Sequence, residues 1–431
     1  MNMILKQRPT TYLSTVPYVR AAKIGLSSWA LFFGLSVSLQ AETARGALSG
    51  PASTPSLLAS DEQEKNDVLD VDLQKSWSER KASLKERIGL DIGFDYNALA
   101  YAASESLGEN SAGSGALRMF GSWELAGRGS ANSGSLVFKF ENRHRYGDVA
   151  VTDFGGEIGY AGLVSSVFSA QGWRTTHLYW EQNFAQGRGV AYAGWLDVTD
   201  YVDVYALASP WSGFSNLAFQ TGSGTIGGLP DGSLGLAAGY FLNDNIYVAA
   251  GIADANADAS DPLAGWDTLF GEGETFKSAE IGWTTGQKAR FVNNAHITFW
   301  QIDERKKAGT PKGHGVAFSV SQIVGDHWFP FLRGGWSDGG GSLYEAALSA
   351  GLGYTQDPSR NLLGVGVNWS RPNEDTFGSG LDEQITVELF QKWQLTESIE
   401  LTPSLQIIHN PAFNPNEDTI ALLGLRARIA F

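Results

Sequence analysis

The chain contains no cysteine. That excludes disulfides and thiolate metal sites, and it suits an oxidising compartment where stray thiols are avoided. Beyond the N-terminus it has no run of about twenty apolar residues, so helices cannot carry it across a bilayer. Charge is sparse at 18%, and its balance is acidic, with a net charge of −15. A chain of that sign does not seek a nucleic-acid backbone. The six histidines show no HExxH or paired ligand spacing, so no metal site is expected. No nucleophile elbow marks a hydrolase. Gly222–Gly227 fits GxGxxG but lacks the following helix that a dinucleotide site needs, so neither an enzyme nor a cofactor is expected.

What the chain does have is glycine, 52 in 431 residues, together with 12% aromatics and long stretches of strict alternation. From Thr419 the odd positions read Thr419, Ala421, Leu423, Leu425, Ala427, Ile429 and Phe431, while Arg426 and Arg428 sit between them. Successive strand side chains point to opposite faces, so one face is greasy and the other carries two guanidinium groups. Charge on the inner face of a closed sheet with an apolar outer face describes a water-filled barrel in a membrane. The same alternation recurs from Gly89 onward, for example Leu90, Ile92, Phe94 and Tyr96 against Asp91, Asp95 and Asn97. Leu136, Phe138 and Phe140 alternate with Lys139, Glu141 and Arg143.

The N-terminus reads as an export signal over residues 1–41. Lys6, Arg8, Arg20 and Lys23 are basic, Ile24–Leu39 is apolar, and Leu39-Gln40-Ala41 offers the cut. Residues 42–88 form a periplasmic linker, Ser-, Ala- and Pro-rich over Glu42–Asn66, followed by an amphipathic helix over Val68–Ile88. Trp77, Leu84 and Ile88 mark the apolar face of that helix. The barrel occupies 89–431. Its connections alternate between tight turns, such as Ala185–Gly189 and Leu395–Ser398, and long segments, such as Arg145–Gly172 and Val198–Asp231. This pattern gives about 16 strands, provided Ser215–Thr221 is loop. The expected fold is all-β: a 16-stranded antiparallel transmembrane β-barrel with a short N-terminal periplasmic helix.

The stretch Gly194-Trp195-Leu196-Asp197-Val198-Thr199-Asp200-Tyr201-Val202-Asp203 resembles a landmark of the carbohydrate-selective porins of the OprB type. Leu178–Gln182, Gly251–Asn256, Leu401–Pro403, Asn410-Pro411 and the closing Gly424–Phe431 are similar to that family's other landmarks. Trp195 stands where the family usually has lysine. The resemblance, covering roughly Trp77 to the end, implies a barrel in the outer membrane of a Gram-negative bacterium that passes sugars by facilitated diffusion.

Sugars present hydroxyls and flat apolar ring faces. A selective neck therefore needs mixed-sign donors and acceptors with an aromatic ring to stack on. Arg118, Glu124, Lys139, Glu141, Arg143, His177, Glu181, Asp197, Arg333, Arg426 and Arg428 are the expected polar lining, with Trp195 or Phe331 as the ring. Expected partners are carbohydrate solutes, outer-membrane lipid and lipopolysaccharide, and the barrel-assembly machinery acting through the last strand. The protein is expected to work as a homotrimer or a monomer. The alternative is a general diffusion porin without a sugar site.

Overall fold

The structure, a computed structural model, describes residues 48–62, 75–356 and 361–431. The expected export segment lies outside these residues, as does Val68–Gln74 of the expected helix.

Two helices precede the sheet, α1 (Thr54–Glu62) and α2 (Lys75–Ile88). The strands that follow are β1 (Leu90–Ala103), β2 (Ser111–Ala126), β3 (Gly134–Arg145), β4 (Gly172–Phe184), β5 (Gly189–Leu196), β6 (Ser233–Phe241), β7 (Ile246–Asp254) and β8 (Thr275–Thr284). The second half supplies β9 (Asn294–Ile302), β10 (Gly313–Ser321), β11 (Trp328–Gly339), β12 (Tyr344–Tyr354), β13 (Asn361–Pro372), β14 (Gln384–Gln394), β15 (Ile399–His409) and β16 (Thr419–Ala430). Each strand pairs with its sequence neighbours, and β1 closes on β16, with Tyr96 opposite Ile429. Closure leaves no edge with unpaired backbone groups, which a lipid core would not tolerate.

The alternation sorts the faces as the sequence predicts. Leu423, Leu425, Leu389 and Ile385 are exposed on the outside, while Arg426, Arg428, Glu388 and Thr386 are buried within. Trp123, Trp283, Trp328, Trp393 and Phe431 are exposed at the tight-turn ends of their strands. Trp173, Trp336 and Tyr146 are exposed toward the other end. Rings with a polar edge favour the headgroup zone, so these two groups mark the membrane borders.

Among the described residues, three segments fold into the lumen. Residues 146–171, between β3 and β4, bury Val151, Phe154, Ile158, Val164 and Phe168 against Leu99, Tyr101 and Ile408. Residues 197–232, between β5 and β6, bury Tyr205, Phe214 and Phe219 against Phe331 and Phe390. Ser215–Thr221, read as loop from strand parity, is loop there, with a 3-10 turn at Leu217–Phe219 and another starting at Thr221. The third segment is N-terminal. The sequence reading makes Glu42–Asn66 a linker, but Thr54–Glu62 is helical and packs Leu57 and Leu58 on Phe120. The expected amphipathic helix is present as α2, and its Trp77 ring lies 6.1 Å from Phe94.

Candidate functional site

Cross-strand partners on one face of a sheet stand within reach of one another. Here that rule builds a column of charge on the inner wall. Asp95 lies opposite Arg118, Arg118 opposite Glu141, and Lys139 opposite His177. Arg428 donates from Nε to Asp95 Oδ2 at 2.7 Å. Arg118 Nε donates to Asp95 Oδ1 at 2.7 Å. Arg143 Nε donates to Glu141 Oε2 at 2.7 Å, and Arg143 reaches Asp231 of the inward loop at 3.6 Å. Arg174 holds the same Asp231 at 2.6 Å. Signs alternate up the wall as Arg428, Asp95, Arg118, Glu141, Arg143 and Asp231. Each buried charge is thus flanked by its opposite, which offsets part of the cost of taking it from water.

An aromatic ring faces this column, though a different one from either expected. Trp211, on the 197–232 loop, lies with the Arg118 guanidinium 4.0 Å and the Arg143 guanidinium 5.7 Å from its ring centroid. Attraction of a cation to a ring face is worth about 0.5–2 kcal/mol, more when desolvated. Arg118 Nη1 and Glu141 Oε1 are buried without a hydrogen-bond partner. A donor and an acceptor are therefore left uncommitted beside the ring.

The structure divides the remaining expected residues among other tasks. Trp195 pairs with Leu178 and Leu234. Leu178 is exposed on the outer face, so Trp195 is outward as well, and its expected place in the lumen is corrected. It is buried because residues near Gly265 cover it, and its Nε1 donates to Thr175 O at 2.6 Å. Phe331 does face inward but is packed under the loop, 5.2 Å from Tyr205 and 5.6 Å from Phe214. Glu124 and Glu181 line a cavity of about 130 Å³ at the tight-turn mouth, with Glu62, Lys85 and Asp91.

Arg333 and Arg426 hold the inward loop. Arg426 donates to Pro210 O and Gly213 O at 2.9 and 3.0 Å. Arg333 donates to Asp203 O at 3.0 Å and Gln220 O at 3.2 Å, and pairs with the Asp203 carboxylate. His296 meets the other Asp203 oxygen at 2.7 Å. Asp203 sits at φ +49°, a conformation disfavoured outside glycine. Such strain persists only where surroundings over-determine it, as these contacts do. Glu388 anchors the far side, accepting from Ser215 N, Ser215 Oγ and Asn216 N at 2.8–2.9 Å. Sequence reading missed Asp95, Trp211, Asp231 and Glu388. Asp95 and Glu388 lie on inward phases that were legible, whereas Trp211 and Asp231 lie in a loop without periodicity.

At the foot of the loop, Asp197 and Asp200 converge with His177, with one ligand-capable atom of each within 4.8 Å of the others. His177 Nε2 stands 2.8 Å from Asp200, and Lys139 Nζ stands 3.9 Å from it. The ammonium already supplies positive charge to this cluster. Burial pushes the Asp197 carboxyl up to about 7, and neighbouring Asp200 adds to the shift. Burial also works to raise Asp200, but Lys139 and then His177 outweigh it and hold that carboxyl below its usual range. The neck therefore carries one firm carboxylate and one that titrates near neutrality.

The high-pH structure of Pseudomonas putida OprB is similar to this chain with a TM-score of 0.66 at 16% identity, covering 83% of this chain and 97% of that one. The low-pH structure of the same protein gives 0.51 at 13% identity, covering 83% and 98%. At such identities the likeness is one of fold. No curated protein matches the chain. The family model for the carbohydrate-selective porin, OprB family, matches residues 125–431. With that match over most of its length and a closed 16-stranded barrel, the chain belongs to the OprB family of carbohydrate-selective porins, outer-membrane channels of Gram-negative bacteria.

Proposed function

We propose that sugars cross this channel past the neck where Trp211 packs on the alternating charges of β1–β4 and β16. The observation that supports this most is the Trp211 ring facing Arg118 and Arg143 beside the uncommitted Arg118 Nη1 and Glu141 Oε1. A sugar hydroxyl both donates and accepts, so it bridges a free donor and a free acceptor at once. The indole, packed on Arg118, supplies the apolar surface of the neck. Each hydrogen bond to a charged group contributes about 1.5–3 kcal/mol, enough for a weak site from which solute escapes. Lys139, His177, Asp197 and Asp200 form the rim of the same neck. Glu124 and Glu181 border the exit. Arg333, Arg426 and Phe331 act indirectly, by fixing the loop that carries Trp211.

The work of the protein is passage, and we assign it no catalytic step or cofactor. The mature chain begins near Glu42 after export. Its outer face meets lipid and lipopolysaccharide, its last strand is read by the assembly machinery, and it works as a homotrimer or a monomer. Swelling of liposomes carrying the protein tests the route. Glucose should enter faster than an uncharged non-sugar solute of equal size. Equal rates would favour a general diffusion porin.

A further inference from the structure

The segment Leu48–Glu62 lies inside the barrel, bound to the inner wall along its length. Ser49 Oγ is 3.3 Å from the Tyr192 hydroxyl, and Arg290 donates to Ser49 O at 3.5 Å. Gly50 N donates to Asp200 O at 2.7 Å, which joins the segment to the neck itself. Thr54 Oγ1 is 2.9 Å from His177 Nδ1, at the middle of β4. Leu57 and Leu58 cover Phe120, and Arg428 grips the Asp61 carboxylate at 3.0 Å. Glu62 then meets Lys85 of α2 at the mouth. The segment thus runs from the neck to the tight-turn end and covers wall groups that a solute leaving the neck would meet.

Its hold is broad but shallow. The apolar anchors are Leu48, Leu57 and Leu58, and the polar ones are hydrogen bonds at Ser49, Gly50 and Thr54 with ion pairs at Asp61 and Glu62. A nine-residue helix is not stable on its own in water, so α1 persists through these wall contacts. Beside it the wall leaves a cavity of about 130 Å³.

We infer that Leu48–Glu62 is a built-in plug of the periplasmic half of the channel, and that a sugar leaves the neck only when this segment yields. The inference rests on the transport reading above, but small-ion current reports the plug whether or not a sugar site exists. The first measurement compares single-channel KCl conductance of the mature chain with that of a chain beginning at Gln63. Truncation touches no barrel strand and should raise conductance severalfold while sugar block persists. Equal conductance overturns the plug. The second uses the absence of native cysteine. Leu58→Cys places a lone thiol against Phe120, shielded from a bulky maleimide while the plug is seated. Labelling should accelerate severalfold under a glucose gradient, and labelled channels should show the truncated conductance. A labelling rate indifferent to sugar overturns the inference, and decides the matter alone if the truncated chain fails to insert.

Discussion

The guanidinium carbon of Arg118, on the barrel wall, stands 4.0 Å from the ring centroid of Trp211, at the centre of the inward loop. Wall and loop meet there, and the relationship depends on both. Arg118 is fixed by Asp95, which Arg428 also holds. Trp211 is fixed because Arg426 donates to the carbonyls of its neighbours Pro210 and Gly213. Arg118 of β2, Arg143 of β3 and Arg426 of β16 thus converge on one ring and its support.

Adjacent residues of β14 should separate barrel stability from loop position. Leu389 faces lipid and Glu388 faces the lumen. Leu389→Arg should cost the barrel about 2–4 kcal/mol, the usual penalty for arginine near mid-bilayer. Urea titration of folding into vesicles measures it. Glu388→Ala should insert normally but release the backbone of Ser215 and Asn216, and its current should flicker more than that of the parent. A Glu388→Ala channel as quiet as the parent would show that Glu388 does not hold the loop.

The neck should change charge near neutral pH. Asp197 has its carboxyl pushed up to about 7, so it is neutral below that pH and ionised above it. Asp200 is held low by Lys139 and His177 and stays ionised throughout. Cation preference, read as reversal potential across a KCl gradient, should therefore rise between about pH 6 and 8. Asp197→Asn should flatten that rise. Stability shifts in the same pH range: the folded state favours protonated Asp197, so this group's contribution weakens as pH climbs from the usual carboxylate range toward 7.

Removal of Phe431 should lower the amount of assembled barrel. Phe431 N donates to Phe94 O at 2.7 Å, and Lys81 donates to Phe431 O at 3.1 Å, so the residue ties β16 to β1 and to α2. Heat-modifiable mobility of the outer-membrane fraction on a gel reports assembly. Normal levels after the deletion would show that closure does not need this residue.

The barrel was legible because a strand's period of two is rigid: a run such as Lys139, Glu141, Arg143 has only one way to share a face. All three do face inward, as do Arg118, Arg426 and Arg428. Trp195 departs from its expected place because it pairs with outward Leu178, and the strand ends one residue later, before Asp197. Periodicity was silent on Trp211, since a loop has no period and its fold is set by distant groups such as Glu388 and Arg333. Residues 48–62 fall within the expected linker Glu42–Asn66, because three leucines among small polar residues look like a linker until Phe120 and Arg428 are placed beside them.

One titration tests the sugar site at Trp211 most directly. Single-channel ion current is recorded in reconstituted membranes while glucose, or a non-sugar solute of equal size, is added to the mature chain and to Trp211→Ala. The account predicts that glucose blocks the parent current at millimolar concentration while the control solute does not, since two or three weak contacts give about −4 kcal/mol. It further predicts that Trp211→Ala loses most of that block while its open conductance is equal or higher. Equal block by both solutes, unchanged in Trp211→Ala, would contradict a sugar site at Trp211.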